Sequence, residues 1–306
     1  MITLFDQDFW QKHTGLQEQF KNIQTKHGLT KATFNAFNTI IEHYYTHNKR
    51  IFSWRTHITP YNVAVSEIML QQTQTDRVVI KFDPFIAQFP TWQSLAQANF
   101  HDVLRMWKGL GYNRRALALH KIANLVVSTY NGILPDKPEI LVTFPGIGKA
   151  TAHSIITFAF NNPSIFIETN IRTVFIYFFF QQQTNITDKE IAPLIEHTLN
   201  HENPREWYYA LMDYGAMLKK TVGNLSRFSA HYHKQSPFEG SERQLRGKIL
   251  QTLLDKPGTT EQQLVTDLKD TRIKKVLQDL ALEGFIKHNH KTKTKLQLIT
   301  KQTQLE

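Results

Sequence analysis

Two carboxylates stand where a charged group is hard to accommodate. Glu67 lies within Val63-Ala64-Val65-Ser66-Glu67-Ile68-Met69-Leu70, an almost wholly apolar run, and Glu168 lies within Ile167-Glu168-Thr169-Asn170-Ile171, beside Phe166, Val174 and Phe175. Burial disfavours the charged form of a carboxyl, and one still protonated near neutrality can act as a general acid. An isolated Glu more commonly sits at a helix edge, but the polar run Gln71-Gln72-Thr73-Gln74 directly after Glu67 favours a site. For the second segment the plain reading is a helix N-cap, Thr169 or Asn170 capping an apolar helix Ile171–Phe180. That reading leaves Glu168 unexplained. One carboxyl that protonates a leaving group and one that stabilises positive charge on a sugar are what glycosidic cleavage requires.

Two glycine turns accompany these carboxylates. Pro145-Gly146-Ile147-Gly148-Lys149 separates an apolar helix end at Leu141 from a second apolar helix, from about Ala150 to Phe160. Gly146 and Gly148 are expected at positive φ, where glycine meets no steric cost. The free N–H groups of a helix start, with Lys149 and Thr151 beside them, suit a phosphate. An ordinary helical hairpin is an equal alternative on the pentapeptide alone. In Gly109-Leu110-Gly111-Tyr112-Asn113-Arg114-Arg115, Leu110 and Tyr112 could wedge between bases while Arg114 or Arg115 holds phosphate. A helix C-cap with surface arginines is the simpler account of that turn by itself.

Composition narrows the partner. The 306 residues carry a formal net charge of +10, with basic residues spread along the chain. Such a balance favours a polyanionic partner, nucleic acid above all, with a membrane surface as the weaker option. Phe175–Phe180 is apolar but far too short to span a bilayer. The first residues, MITLFDQDFWQKH, lack a signal-peptide pattern, so a cytoplasmic protein is expected, nucleoid-associated if bacterial. There are no cysteines, which excludes disulfides, thiolate zinc sites, cysteine nucleophiles and cysteine-ligated iron–sulfur clusters. No metal or cofactor is expected.

Apolar spacing predicts helices nearly throughout. Residues 1–28 read as an N-terminal helical extension and Lys31–Tyr45 as an amphipathic helix; Phe52–Arg55 reads as a loop, and Thr59-Pro60 as a capped helix start. Helical patterns continue over Val78–Phe89, Trp92–Ala98, His101–Lys108, Ala116–Tyr130, Lys189–Leu199 and Arg205–Leu218. Residues 219–240 read as a basic linker. Residues 241–306 read as three helices and a β-hairpin, a winged-helix-like domain with Arg272, Lys274, Lys275 and the Lys291–Lys295 tip facing phosphate, or merely charged solvated faces.

On these residues the chain resembles the helix–hairpin–helix (HhH-GPD) DNA glycosylase superfamily, most closely the MutY-type adenine DNA glycosylases. The matching segments are Trp54-Arg55, Pro60-Tyr61, Val65–Gln74, Trp107–Tyr112, Leu119–Lys121, Phe144–Ala152, Ile167–Val174 and Met212–Met217. The resemblance implies an all-α, two-lobed core over residues 29–220, with one six-helix lobe at about 58–165 and the other from 29–57 and 166–220. It implies a monomer acting on double-stranded DNA that carries a mismatch or damaged base, flipped between the lobes. By position it implies Glu67 as the acid, Glu168 at a catalytic aspartate and Asn170 as an arranging residue. Gln72 and Thr73 would meet the opposite base, with Gln71 also contacting DNA, and Tyr112 would intercalate, with Leu110, Gly111 and Arg114 beside it. The hairpin Gly146, Ile147, Gly148, Lys149 and Thr151, together with Arg172, would complete the DNA contacts.

The chain departs from the family in four places: Glu for Asp at 168, Ala150 where bifunctional relatives carry a lysine nucleophile, no cysteines after Met217, and a C-terminal module that does not look like the family's Nudix-type domain. A clusterless monofunctional enzyme is expected, with adenine opposite 8-oxoguanine or guanine as substrate. Thymine or uracil opposite guanine, or a non-catalytic DNA-binding protein on the same scaffold, are the alternatives.

Overall fold

The computed structural model describes residues 4–288 and 296–298. The expected phosphate-facing tip Lys291–Lys295 lies outside the described residues. The chain begins with α1 (Leu4–His27), α2 (Lys31–Asn48) and α3 (Ser53–Thr56). There follow α4 (Pro60–Leu70), α5 (Thr75–Gln88), α6 (Trp92–Gln97), α7 (Phe100–Trp107), α8 (Arg114–Thr129) and the short α9 (Pro138–Leu141). Next come α10 (Lys149–Phe160), α11 (Thr169–Phe179), α12 (Asp188–Thr198) and α13 (Pro204–Thr221). A 3-10 turn, Leu225–Phe228, leads to α14 (Glu242–Asp255), α15 (Glu261–Leu268) and α16 (Ile273–Leu282). The described strands, β1 (Ile286–His288) and β2 (Leu296–Leu298), pair antiparallel with Ile286 opposite Leu298. The all-helical expectation holds, and among the described helices none is long and apolar enough to cross a membrane.

The chain divides into two compact units. The first takes the segment up to Thr56 together with Gly148–His233; the second takes His57–Ile147 together with the described residues from Lys234 onward. The division falls inside the hairpin, not near residue 165 as expected. Part of the expected linker also belongs to the first unit. Ile186 and Ser229 form a parallel bridge, in which Ile186 N donates to Phe228 O (3.1 Å) and Ala230 N to Ile186 O (2.9 Å). Polar composition suggested a tether there, but backbone pairing makes it structure.

In the first unit, α1 is not a loose extension. Its Phe20 is buried edge-on against Phe178, which in turn meets Phe37 of α2 edge-on. Burying each such ring contributes about 1.5–3 kcal/mol. The expected loop at Phe52–Arg55 closes into α3, with Trp54 stacked on Phe52 and Arg55 buried. Arg55 donates from Nη1 to both Asp213 oxygens (2.9 and 3.0 Å), and Arg50 adds its backbone N (2.9 Å) and Nε (2.6 Å). Asp213 is a fully buried carboxylate in α13, and the two arginines compensate its charge there.

His13 of α1 is buried, with Nε2 3.0 Å from the Tyr214 hydroxyl and Nδ1 3.4 Å from His43 Nδ1. Burial, then the charge of His43, lowers its pKa from 6.5 to about 4. Between those values the unfolded chain binds a proton that the folded chain does not. Stability is therefore greatest above pH 6.5 and falls as the pH is lowered. Chemical denaturation should show a loss of about 2 kcal/mol between pH 7 and pH 5. His13→Gln should flatten that slope, and an unchanged slope would show that His13 is not its source.

Candidate active site and nucleic-acid interface

Glu67 sits on α4, whose start follows from Thr59. That hydroxyl accepts from Asn62 N (3.1 Å), and Pro60 occupies the first helical position. Tyr61, Val63–Ser66, Ile68 and Met69 are buried, whereas Glu67 is half-buried. The side chain is thus placed at the margin of the apolar interior and not wholly within it, as expected from the run alone.

Where α4 ends, Arg115 collects the backbone. It is 8 % exposed and donates from Nη1 to the carbonyls of Ile68 (2.9 Å), Met69 (2.7 Å) and Gln71 (2.6 Å). From Nη2 it donates to Thr73 Oγ1 (2.8 Å) and to the carbonyls of Leu110 (3.2 Å) and Gly111 (3.1 Å). These are the orphan carbonyls of a helix end and a glycine turn, satisfied by one guanidinium. Burial lowers its pKa to about 10, and it stays charged at neutral pH. Arg115 is therefore scaffold and not the phosphate contact that the sequence left open. The frame it builds leaves Gln72 exposed at φ +52° and Tyr112 half-buried at φ +47°.

Around Tyr112 two expectations change. Leu110 is 2 % exposed, so it is core and not a wedge. Its turn directs it inward while Trp107 Nε1 donates to Gly111 O (3.1 Å). Arg114 is exposed, yet its guanidinium forms a fork with Glu283, Nε to Oε2 at 2.9 Å and Nη2 to Oε1 at 2.6 Å.

At the hairpin, Gly146 is the glycine that the turn requires. Its φ is +76°, and a Cβ there would lie 3.0 Å from Ala118 Cβ. Gly148, expected at positive φ, is extended (φ −87°, ψ 172°) as the N-cap of α10. Ile147 turns its side chain inward, at 5 % exposure, and gives its N–H to Phe144 O (3.1 Å). What remains for an anion is the first turn of α10, with exposed Gly148 and Lys149. Gln71 Nε2 donates to Gly146 O (3.1 Å), so the Gln run buttresses the turn.

In the other unit, the expected caps Thr169 and Asn170 are not the caps. Glu168 is. Its Oε1 accepts from Asn170 N (2.9 Å) and Ile171 N (3.0 Å), and its Oε2 from Asn170 Nδ2 (3.3 Å). Burial raises the carboxyl pKa, and the bonds from Asn170 and Ile171 pull it back. Glu168 and Asn170 thus form one hydrogen-bonded group at the start of α11. Arg172 does not join it as a DNA contact, because its guanidinium forks onto Asp188, with Nε and Nη2 both at 2.9 Å.

A residue that sequence reasoning passed over sets this group in place. Gly215 of α13 faces the backbone of Asn170 so closely that a Cβ would sit 2.7 Å from Asn170 Cβ and clash with its carbonyl. A glycine inside a helical pattern signals such an approach. The turn around it also holds Asp213, the partner of Arg50 and Arg55.

Comparisons with known proteins point one way. Residues 65–201 match the profile of the HhH-GPD superfamily base excision DNA repair protein. The adenine DNA glycosylase of Mycobacterium tuberculosis is 30% identical over 267 residues, 79% of this chain and 86% of that protein. The adenine DNA glycosylase of Buchnera aphidicola (subsp. Baizongia pistaciae) is 34% identical over 191 residues, 61% of this chain and 54% of that protein. The chain thus spans about half the length of the second relative and most of the first. Among solved structures, a thermostable thymine-DNA glycosylase aligns with a TM-score of 0.54 at 23% identity, over 60% of this chain and 86% of that one. A trapped endonuclease III–DNA covalent intermediate aligns at 0.51 and 18%, over 72% of this chain and 98% of that one. At those identities the likeness is one of fold.

Two substitutions test the group at α11. Gly215→Ala should lower the melting temperature by forcing α13 off Asn170, a cost of about 1–3 kcal/mol. Glu168→Ala should cost about 1 kcal/mol through loss of the cap, whereas Glu168→Gln, whose amide oxygen can still accept, should cost less. Equal losses for Ala and Gln would show that the cap bonds carry no stability.

Proposed function

This chain belongs to the HhH-GPD superfamily of base excision DNA repair proteins and is a DNA glycosylase of that superfamily; from that premise we propose that it is a monofunctional adenine glycosylase acting on adenine paired with 8-oxoguanine or guanine in double-stranded DNA. The observation that carries the adenine reading is the 30% identity over 267 residues to the mycobacterial adenine DNA glycosylase. Glu67, at the acid position, delivers a proton to the adenine ring as the N-glycosidic bond breaks, so the base leaves neutral. The sugar becomes an oxocarbenium-like cation, Glu168 as carboxylate stabilises it, and water completes the hydrolysis to an abasic site. Asn170 holds the Glu168 carboxylate in one orientation by the bonds described above.

Ala150 occupies the position of the lysine nucleophile in bifunctional relatives and is exposed on the first turn of α10. Without an amine no Schiff base forms, so strand cleavage does not accompany base release. An iron–sulfur cluster, implied by the family, does not fit. The chain has no cysteine, and the segment that would carry the ligands is hydrogen-bonded to Ile186 as backbone. On the DNA, exposed Gly148 and Lys149 meet phosphate, exposed Gln72 faces the opposite base with Thr73 held beneath it, and Tyr112 enters the stack. The segment from Glu242 onward, read as winged-helix-like, adds exposed Lys274 as a phosphate contact, whereas Arg272, expected to join it, forks onto Asp270 and Lys275 lies 3.5 Å from Glu242. A monomeric cytoplasmic enzyme acting on chromosomal DNA follows from this reading.

The test is single-turnover base release from duplexes pairing adenine with 8-oxoguanine or guanine, and thymine or uracil with guanine. Strand breaks from the adenine duplexes that appear only after alkali, and are lost in Glu67→Gln, are expected. Breaks without alkali would overturn the monofunctional reading. Release from thymine or uracil duplexes alone would change the substrate, and binding without release from any duplex would leave a DNA-binding scaffold.

The residue at 168 has its own prediction. Glu168→Asp should keep the cap, since Asp is among the preferred N-cap residues, and sustain base release. Glu168→Gln should fold and lose release by about a hundredfold or more, because a neutral amide does not stabilise the cation. As burial raises the Glu168 pKa, release should fall on acidification at a higher pH than an ordinary Glu would dictate, and Glu168→Gln should lack that limb.

A further inference from the structure

Tyr112 is held by a residue far away in sequence. Arg243, in the first turn of α14, donates from Nη1 to the Tyr112 hydroxyl (2.8 Å), and its guanidinium carbon lies 5.8 Å from the ring centroid. Its other terminal nitrogen, Nη2, donates to Ser236 O (2.7 Å), so one rigid fork ties the tyrosine to the backbone ahead of α14. Arg115 lies 5.5 Å from the same ring centroid. The adjoining residue pair repeats the tie: Arg114 and Arg246 of α14 both bind Glu283, Arg246 Nη2 at 2.6 Å from Oε2. A non-glycine residue at φ +47° persists only where its surroundings hold it.

We propose that Arg243 is a positioning residue for Tyr112, a clasp through which the segment following the core presents the wedge tyrosine to DNA. This inference rests on the reading of Tyr112 as the residue that enters the base stack. A free phenol samples several rotamers, and ordering them on insertion would cost side-chain entropy. The Arg243 hydrogen bond and cation–π contact remove that freedom beforehand. The ring remains half-exposed while its hydroxyl end is fixed. The segment from Lys234 onward therefore acts on base extrusion without needing to read a base itself.

The test uses the full chain and a duplex with 2-aminopurine beside the target adenine, whose fluorescence rises when the base leaves the stack, alongside single-turnover release. Tyr112→Phe removes only the hydroxyl, Arg243→Ala removes the clasp, and Arg243→Lys keeps the charge but not the fork. Each should slow extrusion about tenfold, the size of one charge-assisted hydrogen bond. Arg243→Ala combined with Tyr112→Phe should be no slower than either alone. Thermal melts check that each variant folds, and Tyr112→Phe, which leaves the α14 packing untouched, carries the test should Arg243→Ala fail to fold.

Unchanged or faster extrusion in Tyr112→Phe, full rescue by Arg243→Lys, or additive losses in the double variant would each overturn the clasp. The last two outcomes would mark Arg243 as a plain phosphate charge. If the unsubstituted protein extrudes and releases no base from any duplex, the reading of Tyr112 as a wedge fails and the clasp fails with it. Normal release with extrusion indifferent to Arg243 removes the clasp alone.

Discussion

The approach of Gly215 to the backbone of Asn170 sets how closely α13 and α11 pack in the first unit. Helices normally stand 8–10 Å apart, and side chains set that distance. Here the absent Cβ lets α13 reach the N-terminal turn of α11, where Glu168 caps and Asn170 arranges. The neighbours of Gly215 then lock α13 in place. Asp213 takes Arg50 and Arg55 at the end of α2 and in α3, while Tyr214 receives Gln17 Nε2 (2.7 Å) and faces His13. Three consecutive residues thus tie the first helices of the chain to the turn that Glu168 caps.

The second unit solves the same problem with Arg115. A helix C-terminus and a glycine turn both leave carbonyls without partners, and water would normally satisfy them. A buried guanidinium satisfies them and also fixes their mutual geometry, because its five N–H groups leave it as a rigid planar fork. Desolvating the charge has a cost, visible in the lowered pKa. Its return is a frame in which the end of α4, Thr73 and the turn before Tyr112 are bonded to one guanidinium. Buried charge in this chain secures backbone in both units, with Asp213 and Arg115 all but sealed from solvent.

Much of this was legible in the sequence, and what was not has identifiable causes. Helices showed through apolar periodicity, and α4 through Thr59 and Pro60. Glu168 stood out as a carboxylate among apolar residues, but its cap role was hidden because Glu is not a usual N-cap. Leu110 reads as a wedge but is core, because a glycine turn has no periodicity to say which side chain points inward. Arg114 and Arg115 are neighbours, yet successive helical residues point about 100° apart, so one meets Glu283 and the other the interior. Arg172 reads in the sequence as available to DNA because nothing local announces Asp188 as its partner. The tie from Arg243 to Tyr112 spans 131 residues and leaves no local pattern at all.

The loss of cysteines sharpens how a scaffold keeps its shape. A metal cluster fixes a loop by a few strong bonds from thiolates, independent of the loop's apolar content. Without thiolates, the segment after α13 must be fixed by many weaker interactions. It does so with the Leu225–Phe228 turn, the bridge to Ile186, buried Ser226 and Ser229, and the Asp188 N–H donated to His231 Nε2 (3.3 Å). Asp188 simultaneously binds Arg172 of α11, so the refashioned segment is coupled to the helix that Glu168 caps. A hydrogen-bonded segment yields in steps where a cluster holds as a unit. Its integrity therefore depends on the apolar support beneath it, where Ile186 is buried, and not on any single ligand.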